Sequence, residues 1–124
     1  MIPVILVSPY TGDVEGNIKY ARACMHDCIS KGESPLAPHL LFTQVLDDVT
    51  PEQRELGLSL GAAWVARAVK VVVYGDKDIS EGMAYEIREA NRLGKPVEYR
   101  LLFGDDDKPV IHNLTPEYPW TPGI

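Results

Sequence analysis

Apolar positions along this chain fall into two periodicities. Ile2-Pro3-Val4-Ile5-Leu6-Val7 and Val71-Val72-Val73-Tyr74 are short unbroken runs rich in β-branched residues, the signature of strands buried on both faces. Elsewhere the apolar residues recur at spacings of three and four. Ile18, Ala21, Met25 and Ile29 predict a helix from Glu15 to Lys31 that Gly32 stops. Thr50-Pro51 is an N-cap followed by a first-turn proline, and it opens a helix running to about Val69 through Leu56, Leu58, Leu60, Ala63, Trp64 and Ala66. Met83, Ala84, Ile87, Ala90 and Gly94 share a face of a third helix, which opens after Ser80 and stops at Gly94-Lys95-Pro96. Two weaker strands complete the pattern. Ser34 to Pro38 is interrupted by prolines and belongs at a sheet edge. Pro96 to Leu102 alternates, as a half-exposed strand does.

Strands alternating with helices predict an α/β fold. The expected architecture is a flavodoxin-like three-layer sandwich with a mostly parallel sheet of four or five strands, order near 2-1-3-4. Residues 1–124 form one domain. Residues 104–107 read as a turn, Pro109-Val110-Ile111 as a short edge strand, and the tail 104–124 as loosely structured or docked on a neighbour through Tyr118 and Trp120. In such sheets ligands bind outside the carboxyl ends of the strands. That makes candidates of Ser8 and Tyr10 after the first strand, His39 after the second, and Asp76 and Ser80 after the third.

Charge narrows the ligand. A net charge of −6 argues against a nucleic-acid polymer, whose phosphates need clustered Lys and Arg. A single nucleoside or nucleotide stays possible. No run approaches the roughly 18 apolar residues of a membrane span. The first residues lack a basic region and a cleavage site, so the expected location is the cytoplasm. Cys24 and Cys28 stand four apart on a helix, a poor geometry for a disulfide. With His26 on a different face and no second ligand pair, they read as buried thiols, with no metal site.

The densest chemistry lies between Gly75 and Glu86. Glu86 falls on the flank of the apolar face of its helix. A carboxylate at a core border is costly unless it is hydrogen-bonded or faces a cleft, although an edge glutamate reaching water satisfies the same pattern. The run Ser80-Glu81-Gly82-Met83-Ala84-Tyr85-Glu86-Ile87, continued by Ala90 and Leu93-Gly94-Lys95-Pro96-Val97, resembles the signature helix of the nucleoside 2-deoxyribosyltransferases and of the related deoxynucleoside 5′-monophosphate N-glycosidases. The chain is also similar to small phage and bacterial members of that superfamily with no assigned activity. They share the Ser-Pro-Tyr opening, the Ala-Pro-His-Leu-Leu-Phe loop and the Ile-Ser-Glu-Gly-Met turn. The likeness covers roughly residues 2–98.

The resemblance implies specific roles. The nucleophilic glutamate falls on Glu86, and the serine that contacts a 5′-phosphate falls on Ser80, with Gly82 and Met83 in the same turn. Tyr10 becomes the hydrogen-bond partner that orients Glu86. Ser8, Asn17 and His39 border the substrate. No cofactor is implied, and the enzymes are homo-oligomers whose sites borrow residues from a neighbour. One departure stands out. The family's second carboxylate, which handles the base or its proton, has no clean match. Its spacing falls on Ala62, leaving Asp47, Asp48 and Glu55 as substitutes. Three readings follow: cleavage of an N-glycosidic bond, a non-catalytic module binding a nucleotide or ADP-ribose-like ligand, or an interaction protein with a vestigial pocket.

Overall fold

The computed structural model describes residues 1–47 and 49–103. In chain order they form β1 (Ile2–Val7), α1 (Val14–Ser30), β2 (Glu33–Leu36), α2 (Pro38–Leu41), a 3-10 turn (Phe42–Gln44), α3 (Pro51–Val65), β3 (Lys70–Tyr74), α4 (Glu81–Arg92) and β4 (Val97–Arg100). The four strands make one parallel sheet in the order β2-β1-β3-β4. This is the expected α/β sandwich and strand order. The suggested turn at 104–107, the edge strand at 109–111, the tail and Asp48 lie outside the described residues.

Pairing of Ile5 with Val71 and of Val7 with Val73 aligns the two central strands. Paired residues of parallel strands point to the same face, so the two apolar runs feed two cores. Val4, Leu6, Val72 and Tyr74 meet Tyr20, Cys24 and Cys28 of α1. Ile5, Val7, Val71 and Val73 meet Val65 of α3 and Met83 and Ala90 of α4. The central strand residues are essentially excluded from water, each contributing about 1.5–3 kcal/mol. β2, with Pro35 inside it, is an edge strand, where a missing N–H is tolerated.

Three elements depart from expectation. His39 to Gln44 are not an open loop: a helical turn and a 3-10 turn hold them. α3 stops at Val65, four residues early, and Ala68 then turns inward to the core. β4 is confined to four residues. Two glycines explain local geometry. A Cβ on Gly61 would stand 3.0 Å from the Pro38 Cβ, so α3 crosses α2 so closely that a side chain there would push the two apart by a few tenths of an ångström. Gly94, with φ of 69°, ends α4 in the left-handed region. On its outer side α3 exposes Leu56, Leu60 and Trp64, successive turns of one stripe. Among the described residues no helix is long and apolar enough to cross a membrane.

Candidate functional site

The sheet order reverses direction between β1 and β3. A cleft of about 690 Å³, open mouth included, lies beyond their carboxyl ends. Ser8, Tyr10, His39, Ser80, Gly82, Met83 and Glu86 all border it. Each is delivered by a local feature. Ser8 ends β1, and four buried β1 residues fix it in place. Ser80 caps α4, its hydroxyl accepting from the Met83 N–H at 3.3 Å, which aims the first turn of α4 at the cleft.

Glu86 follows one turn behind Met83. The buried residues of α4 are Met83, Glu86 and Ala90, so the glutamate occupies the core-facing stripe itself and not its flank. It is 6% exposed, and its Oε2 has no hydrogen-bond partner among the described residues. Burial alone pushes its carboxyl up to about 8. At neutral pH this environment favours the protonated carboxyl of Glu86. The expected hydrogen bond to Tyr10 is absent among the described residues. Tyr10 borders the cleft, and its backbone carbonyl is held by Asn17.

The His39 ring shares a 2.7 Å hydrogen bond between Nε2 and the Ser8 hydroxyl. Its Nδ1 is buried without a partner among the described residues, and burial pulls the imidazole down to about 4. It is a neutral group at pH 7. It can donate or accept a hydrogen bond but is a weak base.

Two expected site residues serve the frame instead of the cleft. The Asn17 side-chain amide donates to the carbonyls of Tyr10 (2.9 Å) and Thr11 (3.1 Å), and its oxygen accepts from Lys77 at 2.8 Å. It pins the β1–α1 loop. The Asp76 carboxylate accepts from the Tyr20 hydroxyl and from the Leu102 and Phe103 N–H groups at 2.7 and 2.9 Å, tying the end of β3 to α1 and the segment after β4. Neither borders the cleft. Of the substitute carboxylates, Asp47 borders it, but accepts from the Val49 N–H at 2.8 Å and the Thr50 hydroxyl at 2.9 Å. Those bonds hold it below the usual carboxylate range, so it is not a proton donor at neutral pH. Glu55 lies in a neighbouring groove between α3 and α4. Ala62 lies on the buried face of α3.

Residues 2–100 match the family model described as Domain of unknown function (DUF7768). The chain belongs to the DUF7768 family. No curated protein matches it in sequence. Among solved structures it is similar to the 2-deoxyribosyltransferase of the psychrotolerant bacterium Bacillus psychrosaccharolyticus, described as a biocatalyst for nucleoside synthesis. The two are 18% identical, with a TM-score of 0.62 over 86% of this chain and 82% of that one. At that identity what they share is the fold.

Sequence reasoning missed part of this DUF7768 cleft. Thr43, Gln53 and Arg54 border it, and none was expected there. Gln53 and Arg54 sit in the opening turn of α3, whose start Thr50-Pro51 does mark. Reading that helix N-terminus as a ligand wall, and not only as a boundary, would have found them. Of the apolar residues 40–42, Phe42 walls the cleft, Leu40 packs against the α1-side core and Leu41 is half exposed.

Proposed function

We propose that this protein cleaves the N-glycosidic bond of a (deoxy)nucleoside or its 5′-monophosphate, with Glu86 as nucleophile. One observation carries the reading: a carboxyl group 6% exposed, without a partner among the described residues, bordering a cleft at the switch point of the sheet. A protein keeps such a group at a cost of several kcal/mol, and perturbed, desolvated acids in clefts are characteristic of functional sites. The fold shared with a 2-deoxyribosyltransferase supports the same reading.

The chemistry runs as follows. The ionised Oε of Glu86 bonds to the anomeric carbon as the C–N bond breaks and its electron pair leaves with the base. The departing base takes a proton from water at the open mouth. Water or a second base then displaces Glu86, giving hydrolysis or transfer. The neutral His39–Ser8 pair supplies hydrogen bonds to the sugar, and developing positive charge on the sugar ring stabilises the carboxylate. Because attack needs the ionised form, kcat/KM rises with pH along a limb near 8.

A second reading is a binding module for a nucleotide or ADP-ribose-like ligand. The commitment of Asp47 to Val49 and Thr50 favours it, since among the described residues the cleft then holds no second free carboxylate. The deciding experiment incubates the protein with a panel of deoxynucleosides and monophosphates and measures free base. Release that falls by about 10³-fold or more in Glu86→Gln supports the enzyme. Ligand binding without release, unaffected by the substitution, supports the module.

A further inference from the structure

Among the described residues, Arg54 is the one lysine or arginine bordering the cleft. It sits at the end of the first turn of α3, its backbone N–H bonded to the Thr50 carbonyl at 2.8 Å. As a structural residue it is out of place twice over. The helix dipole puts partial positive charge at that turn, which disfavours a cation. Its guanidinium also has no ion-pair or hydrogen-bond partner among the described residues, in a chain with 18 acidic and 12 basic residues. Several cations are tied up, Arg100 and Lys70 with Glu33 and Glu98, Arg92 with Glu89 and Lys31 with Asp27, whereas Arg22, Arg67, Arg88 and Lys95 are as unpaired as Arg54 among the described residues; what sets Arg54 apart is its place at the cleft.

Arg54 and Leu58 also border the groove between α3 and α4, so the arginine stands where the cleft continues outward. The cleft itself is marked as a ligand site by the buried, unpartnered Glu86. A ligand seated over Glu86 can therefore place a substituent at Arg54. The opening turns of α3 and α4, both beside the cleft, favour negative charge there. A guanidinium fork pairs two N–H groups with two oxygens of one phosphoryl group.

We infer that Arg54 reads an anionic phosphoryl group and that the ligand is a nucleoside 5′-monophosphate in preference to an uncharged nucleoside. This rests on the glycosidic reading of the same cleft.

The test uses the full chain carrying Glu86→Gln, so that binding is measured without turnover. Calorimetry compares 2′-deoxynucleosides with their 5′-monophosphates, with Arg54 intact and with Arg54→Gln or Arg54→Lys. The monophosphate should bind about 10- to 100-fold tighter when Arg54 is present. That ratio should collapse toward one in Arg54→Gln and survive in part in Arg54→Lys, which keeps the charge but loses the fork. The midpoint of thermal unfolding of Arg54→Gln should be unchanged or slightly raised, confirming a folded protein. Equal affinities with Arg54 intact, or equal weakening of both ligands in Arg54→Gln, would overturn the inference. If uncharged nucleosides also release base through Glu86 in the wild type, the glycosidic reading survives that result. If neither ligand binds and no base is released, both readings fail together.

Discussion

Glu33 and Glu86 are the two most instructive carboxylates in this molecule, because they are nearly equally buried and chemically opposite. Glu33 is 3% exposed and Glu86 6%. Glu33 begins β2 on the α1 side of the sheet. It receives two hydrogen bonds from Arg100, at 2.7 and 2.6 Å, and an ion pair from Lys70 at 2.9 Å. Those cations hold its carboxyl down at about 2. Glu86, on the α4 side, has no cation and no donor among the described residues, and desolvation pushes it up to about 8. Burial alone does not fix the charge of a carboxyl group; what stands beside it does. One glutamate is fully committed to the fold, whereas the other borders the cleft with no bond to the fold among the described residues.

The comparison predicts opposite pH behaviour. For Glu86 the folded-state pKa lies above the ordinary 4.5. Its contribution is fully present below that value and is lost as pH rises through about 8, a change on the order of 5 kcal/mol. Glu33 is depressed, so its contribution is present above 4.5 and is lost as pH falls toward 2. The largest effect should appear in Glu86→Gln, whose stability relative to the wild type should grow steadily between pH 4.5 and 8. Denaturant unfolding at a series of pH values measures it, and a gap that stays constant with pH would mean that Glu86 is already ionised or solvated in the free protein.

Next in size is Arg100→Leu, which leaves Glu33 buried with Lys70 alone. A buried charge stripped of its main partner should cost about 3 kcal/mol or more at pH 7. Repeating the measurement at pH 3 sharpens the point, because protonating the orphaned carboxylate should shrink the loss. The smallest effect belongs to Glu98→Gln. Glu98 also pairs with both Lys70 and Arg100, but its side chain is 43% exposed. Solvent screening should limit the change to about 1 kcal/mol or less. A loss as large as that of Arg100→Leu would show that the whole ladder acts as one buried unit.

The particulars show where sequence reasoning reaches its limit. The runs at Ile2–Val7 and Val71–Tyr74 determine two doubly buried strands, and strand–helix alternation with right-handed crossovers leaves few ways to order a four-stranded sheet. Ser80 as N-cap, Gly94 as helix stop and Glu86 as a misplaced charge are local signals, and all are visible in the chain. Asp76 shows the opposite case. It stands in a loop where ligands commonly bind, yet its partners, Tyr20 and the Leu102 and Phe103 N–H groups, are distant in sequence and consume its lone pairs. Arg54 borders the cleft beside the close approach of Gly61 to Pro38, a contact between two elements that no periodicity encodes.

By itself, then, the sequence determined the four strands and three long helices, the order in which they pack, and which glutamate is at odds with its helix, but not the turns at 38–44 or the ends of α3 and β4, since near-neighbour spacing and the drive to bury apolar faces fix elements more firmly than their boundaries. Only the tertiary structure decided which polar groups were already satisfied and which were left over. That depends on atoms brought together from far along the chain, and on the water removed as they meet.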